Sequence, residues 1–470
     1  MPQRRYLIFA VVAPALLMAS IDGTIVAVGL STILAELHTT LPLVAWTITG
    51  FQLTQTVVMP MAGKLGDDMG RKRLFLIAVL VFTLGSVGAG LAPNVYALII
   101  FRVLQALGGG AFLPAAVGIV SDAFGEQRQT ALGLFTSIFP LGGVIGPNIG
   151  GFIIDHFSWR WIFFVNLPIG LLLLVAGFFI LPRDKVTEER KPVDALGAGF
   201  FGASIFGILY GMTYLANHPG QAGQPEPWLF FGFGFVMLVL FLRHESRTPA
   251  PMIELDLLRW RPLFAVNLYN FLYGASVFGF FAFIPYYATI AYGMTAGESG
   301  AILTPRSITM VLTSAVSSLF LIKFGYRLPM IGGLLLVGTS LLLLSQGFHN
   351  LSLFGFAVPN LVLLSLMMLV SGLGIGVSGP AAQNAALDLI PEKLSVIAGL
   401  RGMFRSTGGV LGTASVTLAL SQFSNKAQGL QYIFLALAVT MLFIMPVVFM
   451  IPDTARQRRT AAVTADALVD

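Results

Sequence analysis

The chain has no cysteine among its 470 residues, so disulfides and thiolate metal sites are both excluded. Charge is scarce as well. Asp, Glu, Lys and Arg together make up 10% of the residues, against about 25% in a soluble domain. The five histidines are scattered and form no ligand cluster. The phosphate-binding GxxxxGK[ST] loop is absent, so nothing points to ATP use. No nucleophile–base pair stands out, which argues against a membrane-embedded enzyme. What is abundant is apolar: 56% of the residues are hydrophobic and the mean hydropathy is +0.85, the composition of an all-α polytopic membrane protein. The net charge of +6 does not indicate nucleic acid, because the basic residues lie in short segments between apolar runs, where they orient a chain in the bilayer.

Polar, Gly and Pro clusters divide the chain into fourteen predicted spans, near 6–35, 42–63, 73–92, 95–121, 129–154, 160–182, 195–216, 227–242, 262–291, 297–322, 328–347, 358–387, 394–421 and 429–451. The stretch 227–242 is barely long enough to cross. With both termini cytoplasmic, the inner segments carry 21 of the 27 Lys and Arg, the outer ones only Arg160 and Lys426, and four arginines fall inside spans. That asymmetry is what the positive-inside rule demands. The first apolar run is too long for a cleaved signal peptide and lacks a small-residue cleavage site, so it is expected to stay. The longest inner segments bracket two spans. The expected architecture is a six-helix bundle over 1–182, linkers with an inserted transmembrane hairpin over 183–261, a second six-helix bundle over 262–456 and a cytoplasmic tail over 457–470. Transporters are commonly built from such repeated halves.

The first span, YLIFAVVAPALLMASIDGTIVAVGLSTILA, holds a single ionisable group, Asp22. A carboxyl at the centre of a spanning helix costs about 2.5–3.5 kcal/mol on insertion scales and usually serves as an ion or proton site; a structural hydrogen bond is the alternative. In the fourth span, Arg102, Gln105 and Gly109 share a face, placing a cation beside a glycine groove; an arginine tying helix backbones together is the other reading. In the fifth, Gly142, Gly146 and Gly150 form a smooth stripe open to close helix approach, and Pro147 bends the helix. Between spans two and three runs Gly63-Lys64-Leu65-Gly66-Asp67-Asp68-Met69-Gly70-Arg71-Lys72-Arg73, a tight turn in which Asp67 is placed to cap the next helix and to pair with bases.

These stretches resemble known signatures. The loop from Gly63 to Lys72, with Asp67, Gly70 and Arg71, resembles the loop signature of the major facilitator superfamily, with Asp68 departing from the basic residue usual there, which leaves open a different latch at the inner gate. Arg102 to Ala111 resembles the family's RxxQGxGgA pattern, in which the arginine is linked to proton transfer. Gly142 to Gly151 resembles GxxxGPxxGG, the mark of its antiporters, and implies a hinge of Gly142, Gly146, Pro147, Gly150 and Gly151. The context of Asp22, and Trp159 to Gly170, resemble the fourteen-span drug:proton antiporters of the EmrB/QacA type. The resemblance implies a major facilitator fold working by alternating access, with Asp22 as the coupling carboxylate and the proton as coupling ion; no other cofactor and no metal is expected.

Span thirteen supplies a second cation. Arg401, Arg405, Gly408 and Gly412 share a face; Arg401 is close enough to the inner end to snorkel, and Arg405 is about one turn deeper. Arg405 is the first choice as partner of deprotonated Asp22, with Arg102 the second. Substrate-lining candidates are Gln52, Gln55, Asn148, Asn267, Asn270, Tyr273, Arg306, Gln383 and Asn384, each with interhelical hydrogen bonding as the plain alternative. Counting deep charges, Arg102, Arg306 and Arg405 stand against Asp22 alone, which favours neutral, singly charged or anionic amphiphiles. The expectation is therefore a monomeric, multi-pass protein of the bacterial cytoplasmic membrane that exports lipophilic small molecules in exchange for protons, as in multidrug efflux and antibiotic resistance. The alternatives are a same-fold transporter of a dedicated lipid, siderophore or metabolite, and a membrane sensor that does not transport, although the chain has no long soluble segment.

Overall fold

The computed structural model describes residues 2–127, 131, 134–135, 138–182, 184, 193–249, 251–353, 356–390 and 393–453. Arg128, most of the 183–192 linker, the first residues of the fifth span and the 457–470 tail lie outside them. The long helices are α1 (Pro2–Val28), α2 (Leu41–Met69), α3 (Arg71–Gly90), α4 (Val95–Phe124), α5 (Ile138–His156), α6 (Asn166–Ile180), α7 (Ala195–Asn217), α8 (Pro225–Glu245), α9 (Arg261–Phe281), α10 (Leu303–Phe324), α11 (Arg327–Ser345), α12 (Asn360–Leu387), α13 (Leu394–Ser421) and α14 (Lys426–Met450). Short helices Trp161–Phe164, Ile284–Tyr292 and Ala296–Ala301 adjoin α6, α9 and α10. Among the described residues the one extended element is an antiparallel pair, β1 (Ser352–Leu353) with β2 (Phe356–Ala357), before α12.

Ten of the described helices are long and apolar enough to cross a membrane by length and composition. The helices α2, α5, α10 and α13 fall outside that count. These four carry Gln52 and Gln55, Asn148, Arg306, and Arg401 and Arg405 respectively, together with many of the packing glycines. Large apolar side chains such as Phe179, Leu319 and Phe443 stand exposed, a surface suited to lipid rather than water.

The described chain forms two units, Met1–Ile253 with Met294–Gly300, and Glu254–Gly293 with Ala301–Asp470. In the first, α1 packs on α5, α4 on both α2 and α3, and α7 on α8 and α2. Its core centres on Phe75, Phe82, Phe112 and Phe135, all fully buried. The hairpin α7–α8 is anchored by Asp194, which caps α7 by accepting from the Gly197 amide at 2.8 Å and whose Oδ1 lies 2.7 Å from His244 Nε2. In the second unit, α9 packs along α13, α12 on α10 and α11, and α14 on α11 and α9.

The turn between α2 and α3 is a single residue, Gly70, at φ +97°, a left-handed conformation that glycine adopts without cost. Asp67 does not cap α3. It belongs to the last turn of α2 and pairs with Arg71 at 3.1 Å, while Arg71 also reaches Asp122 at 2.8 Å and the Gly118 carbonyl at 3.0 Å. The cap comes from Asp184, beyond α6, which accepts from the Lys72 and Arg73 amides at 2.7 and 3.1 Å. A chain segment over 110 residues away thus closes the helix start, a contact that local sequence cannot reveal. Lys72 Nζ donates to the carbonyls of Phe178 and Leu181 at 2.7 and 2.9 Å, tying the end of α6 to the same point. Asp184→Ala is expected to destabilise the fold by about 1 kcal/mol, read as a lower melting temperature of the purified protein with its helical content unchanged.

Candidate functional site

A carboxylate in an apolar helix must find donors or remain neutral. Asp22 finds three. Its Oδ2 accepts from Arg102 Nη1 at 2.5 Å, and its Oδ1 from Gln105 Nε2 at 2.8 Å and Asn166 Nδ2 at 3.2 Å. Asp22 and Arg102 are each 1% exposed, Gln105 is 0% and Asn166 2%, so the pair is sealed from its surroundings within the first unit. All three of these groups donate to the carboxyl.

Arg102 has its own support. Nε donates to the Thr47 carbonyl at 3.1 Å, Nη1 to Gln105 Oε1 at 2.7 Å, and the guanidinium lies 3.9 Å from the Phe51 ring centroid. Asn166 is braced by Ser86, to which it donates at 3.0 Å, and Ser86 in turn donates to the Phe163 carbonyl at 2.8 Å. Helices α1, α2, α3, α4 and α6 therefore meet at one charge pair.

The partner of Asp22 is Arg102 and not Arg405, the first choice from sequence. Both arginines lie deep in their helices; what decides is that α4 packs against α1 in one unit. The aromatic rings that the Arg405 guanidinium faces, Tyr273 and Phe278, belong to its own unit. Asn166 joins the site from inside the Trp159-to-Gly170 string, where nothing local marks it as a ligand of the carboxyl. That Gln105 shares a face with Arg102 follows from its spacing; that it donates to the carboxyl follows only from the packing of α4 against α1.

The glycine stripe of α5 lies directly against the segment of α1 that carries Asp22. A Cβ on Gly142, Gly146 or Gly150 would overlap Ser20, Thr24 or Ile25 in turn, and Thr24 Oγ1 donates to the Gly142 carbonyl at 3.3 Å. Gly151 abuts the backbone of Ala296 and Gly297, and Gly300 that of Pro147. Asp155 closes this contact by accepting from the amides of Ala296 and Gly297 at 3.0 and 2.7 Å. The residues expected to form a hinge are thus all at close backbone approaches, most of them to α1.

The lining candidates divide into two kinds. Asn148, Asn267, Asn270 and Asn384 each donate to the carbonyl four residues earlier in their own helix, at 2.7, 2.9, 2.8 and 2.9 Å, which satisfies the amide donor locally, while Asn267 Oδ1 is buried without a hydrogen-bond partner. Gln383 is exposed. Gln52 Oε1 is buried without a hydrogen-bond partner, and Gln55 Nε2 lies beside Gly109. Tyr273 meets Ser378 Oγ at 3.2 Å, and Arg306 lies 3.7 Å from the Phe281 ring centroid. Among the described residues no group of three or more His, Cys, Asp or Glu could hold a metal ion.

A family model described as Major Facilitator Superfamily matches residues 12–271 and 266–467. The chain belongs to the major facilitator superfamily. Among its relatives in this superfamily, the multidrug transporter protein MdtP of Bacillus subtilis (strain 168) is 31% identical over 431 residues, 90% of this chain and 76% of that one. The tetracenomycin C resistance and export protein of Streptomyces glaucescens is 31% identical over 406 residues, 86% and 73% of the two chains. A crystal structure of the nucleoside transporter NupG superposes with a TM-score of 0.67 at 13% identity, covering 95% of this chain and 100% of that one, which is a likeness of fold. Membership accounts for the helical architecture and makes the protein a transporter rather than an enzyme.

Proposed function

We propose that the protein is a proton-coupled antiporter of the fourteen-span, EmrB/QacA type that exports lipophilic small molecules from the cytoplasm of a bacterium, with both termini inside. The observation that carries this reading is the sealed Asp22–Arg102 pair on a helix lying against the glycine stripe of α5. The names of the relatives at 31% identity, a multidrug transporter and an export protein, support the direction and the breadth of cargo. The division into six, two and six helices, with Asp67, Gly70, Arg71 and Lys72 at the inner gate, belongs to the same proposal.

The chemistry follows from the contacts. A proton arriving at Asp22 neutralises it and removes its attraction for Arg102. Arg102 keeps the Thr47 carbonyl, Gln105 Oε1 and the Phe51 ring, so it stays with α2 and α4. The ties that weaken are those from α1 to α4 and α6, and α1 is then free to move along the smooth face of α5. Loss of the proton restores them. One charge moved through about 100 mV supplies roughly 2.3 kcal/mol, enough to sustain an appreciable gradient of cargo.

Accumulation of a cationic and an anionic dye in energised cells lacking their own pumps tests this reading. Wild type is expected to lower accumulation of at least one dye, and an uncoupler to abolish the difference; no effect on either dye in well-expressed protein would refute broad export. Asn166→Leu keeps the number and branching of the side-chain heavy atoms but removes one donor to the carboxylate. Hydrogen bonds to charged groups contribute about 1.5–3 kcal/mol, so the initial efflux rate is expected to fall about tenfold or more at unchanged protein abundance.

A further inference from the structure

Apart from the basic residues at helix ends (Arg261, Lys323, Arg327 and Lys426), the membrane helices of the second unit hold three arginines, Arg306, Arg401 and Arg405, and no acid to balance them: none of α9 to α14 contains an Asp or Glu. Arg306 on α10 is 7% exposed. The Nε atoms of Arg306, Arg401 and Arg405 are all buried without a hydrogen-bond partner, as is the hydroxyl of Tyr269. None of the three arginines is in an ion pair among the described residues.

The four groups belong to one neighbourhood. Arg405 interacts electrostatically with Arg306, Arg401, Tyr269 and Tyr273. Its guanidinium lies 5.2 Å from the Phe278 ring centroid and 5.8 Å from that of Tyr273, and Tyr273 stacks on Tyr269 at 5.5 Å. Arg401 does not run to the helix end but points Nη1 at Asn270 Oδ1, 3.4 Å away. The placement is built in by close packing: α9 and α13 approach so tightly that a Cβ on Gly274 would overlap the Arg405 backbone, and one on Gly408 that of Phe271. Aromatic faces hold the cations but offer them no countercharge.

Like charges brought together in a region of low dielectric repel strongly and stay unbalanced until an anion arrives. Guanidinium groups with unused donors suit an oxyanion, and the hydroxyl of Tyr269 adds a neutral donor. We propose that Arg306, Arg401, Arg405 and Tyr269 form the headgroup site for an amphiphilic organic anion, with its carboxylate or sulfonate among the arginines and its apolar body against Phe278, Phe281 and Tyr273. The assignment names the substrate class of the export reading and rests on it.

The test is binding by the purified full chain in uncharged detergent, followed by calorimetry, using three probes with one aromatic body: pyrenebutyrate, its neutral amide and pyrenebutylammonium. Pyrenebutyrate is expected to bind about tenfold or more tightly than the other two. Arg306→Gln and Arg405→Gln are each expected to remove that preference, and Arg405→Lys to retain part of it, in variants that elute as wild type does on gel filtration. Equal binding of all three probes, or an unchanged preference in both Gln variants, would overturn the site. Arginine-dependent binding of phosphatidylglycerol without binding of pyrenebutyrate would overturn the substrate assignment in favour of a lipid headgroup. The two readings fail separately. Arginine-dependent binding of pyrenebutyrate without uncoupler-sensitive efflux of any probe removes export and keeps the site; energised efflux of pyrenebutylammonium by a chain that does not bind pyrenebutyrate removes the site and keeps export.

Discussion

Asp22→Asn is expected to bring energised efflux down to the level of cells without the transporter, a loss of about a hundredfold or more, since a coupling step that needs a titrating carboxyl has no substitute in the site. Asparagine has nearly the same shape and keeps an acceptor for Arg102, so the change removes ionisation rather than packing. It also leaves the guanidinium without a counter-ion in a place 1% exposed. Removing one partner of a buried pair typically destabilises by about 3–5 kcal/mol, so abundance and melting temperature must be followed beside transport. Asp22→Glu separates the two effects. It restores a titrating group one methylene longer and is expected to recover part of the transport, whereas a purely structural role for the charge pair would let Asn and Glu variants transport in proportion to their stability.

Gly146→Val is the second large effect. A side chain there would overlap Thr24 and the backbone of Ile21, forcing α1 away from α5 at the turn that carries Asp22. Overpacking of this kind costs typically about 1–3 kcal/mol, and here it also blocks the surface along which α1 is proposed to move. Transport is expected to fall to background even where the protein reaches the membrane in normal amount. Gly232→Ala is the matched control: a Cβ there meets nothing within 4 Å, and efflux should be unchanged. Normal efflux by Gly146→Val in folded protein would show that the stripe is mere packing.

The parts of the site legible in the sequence are those that break a rule of the membrane. Asp22 and Arg102 are charges in apolar helices, and Gly142, Gly146 and Gly150 repeat at a helical period, so each announces itself without knowledge of its partner. Partners are another matter. Arg405 and Arg102 both lie deep in their helices, and only the packing of α4 against α1 assigns the pair. Asn166 and Ser86 are ordinary polar residues whose importance comes from where α3 and α6 deliver them. Asp184 caps α3 from the far end of α6, and no local pattern encodes that distance. Asn148, Asn267 and Asn384 illustrate the converse: polar residues in apolar helices invite a functional reading, yet each has a carbonyl of its own helix within reach. The unbalanced arginines of the second unit were countable from the sequence, but their convergence with Tyr269 depends on the close approach of α9 and α13.

The most direct measurement is proton flux in proteoliposomes containing the purified chain, with a trapped pH indicator and an imposed gradient of ethidium or pyrenesulfonate, neither of which carries a proton itself. Protons are expected to move opposite to the probe that is transported, and Asp22→Asn is expected to abolish the coupled movement in protein that remains folded. Protons moving in the same direction as the probe, or coupled exchange that survives Asp22→Asn, would contradict antiport centred on the Asp22–Arg102 pair.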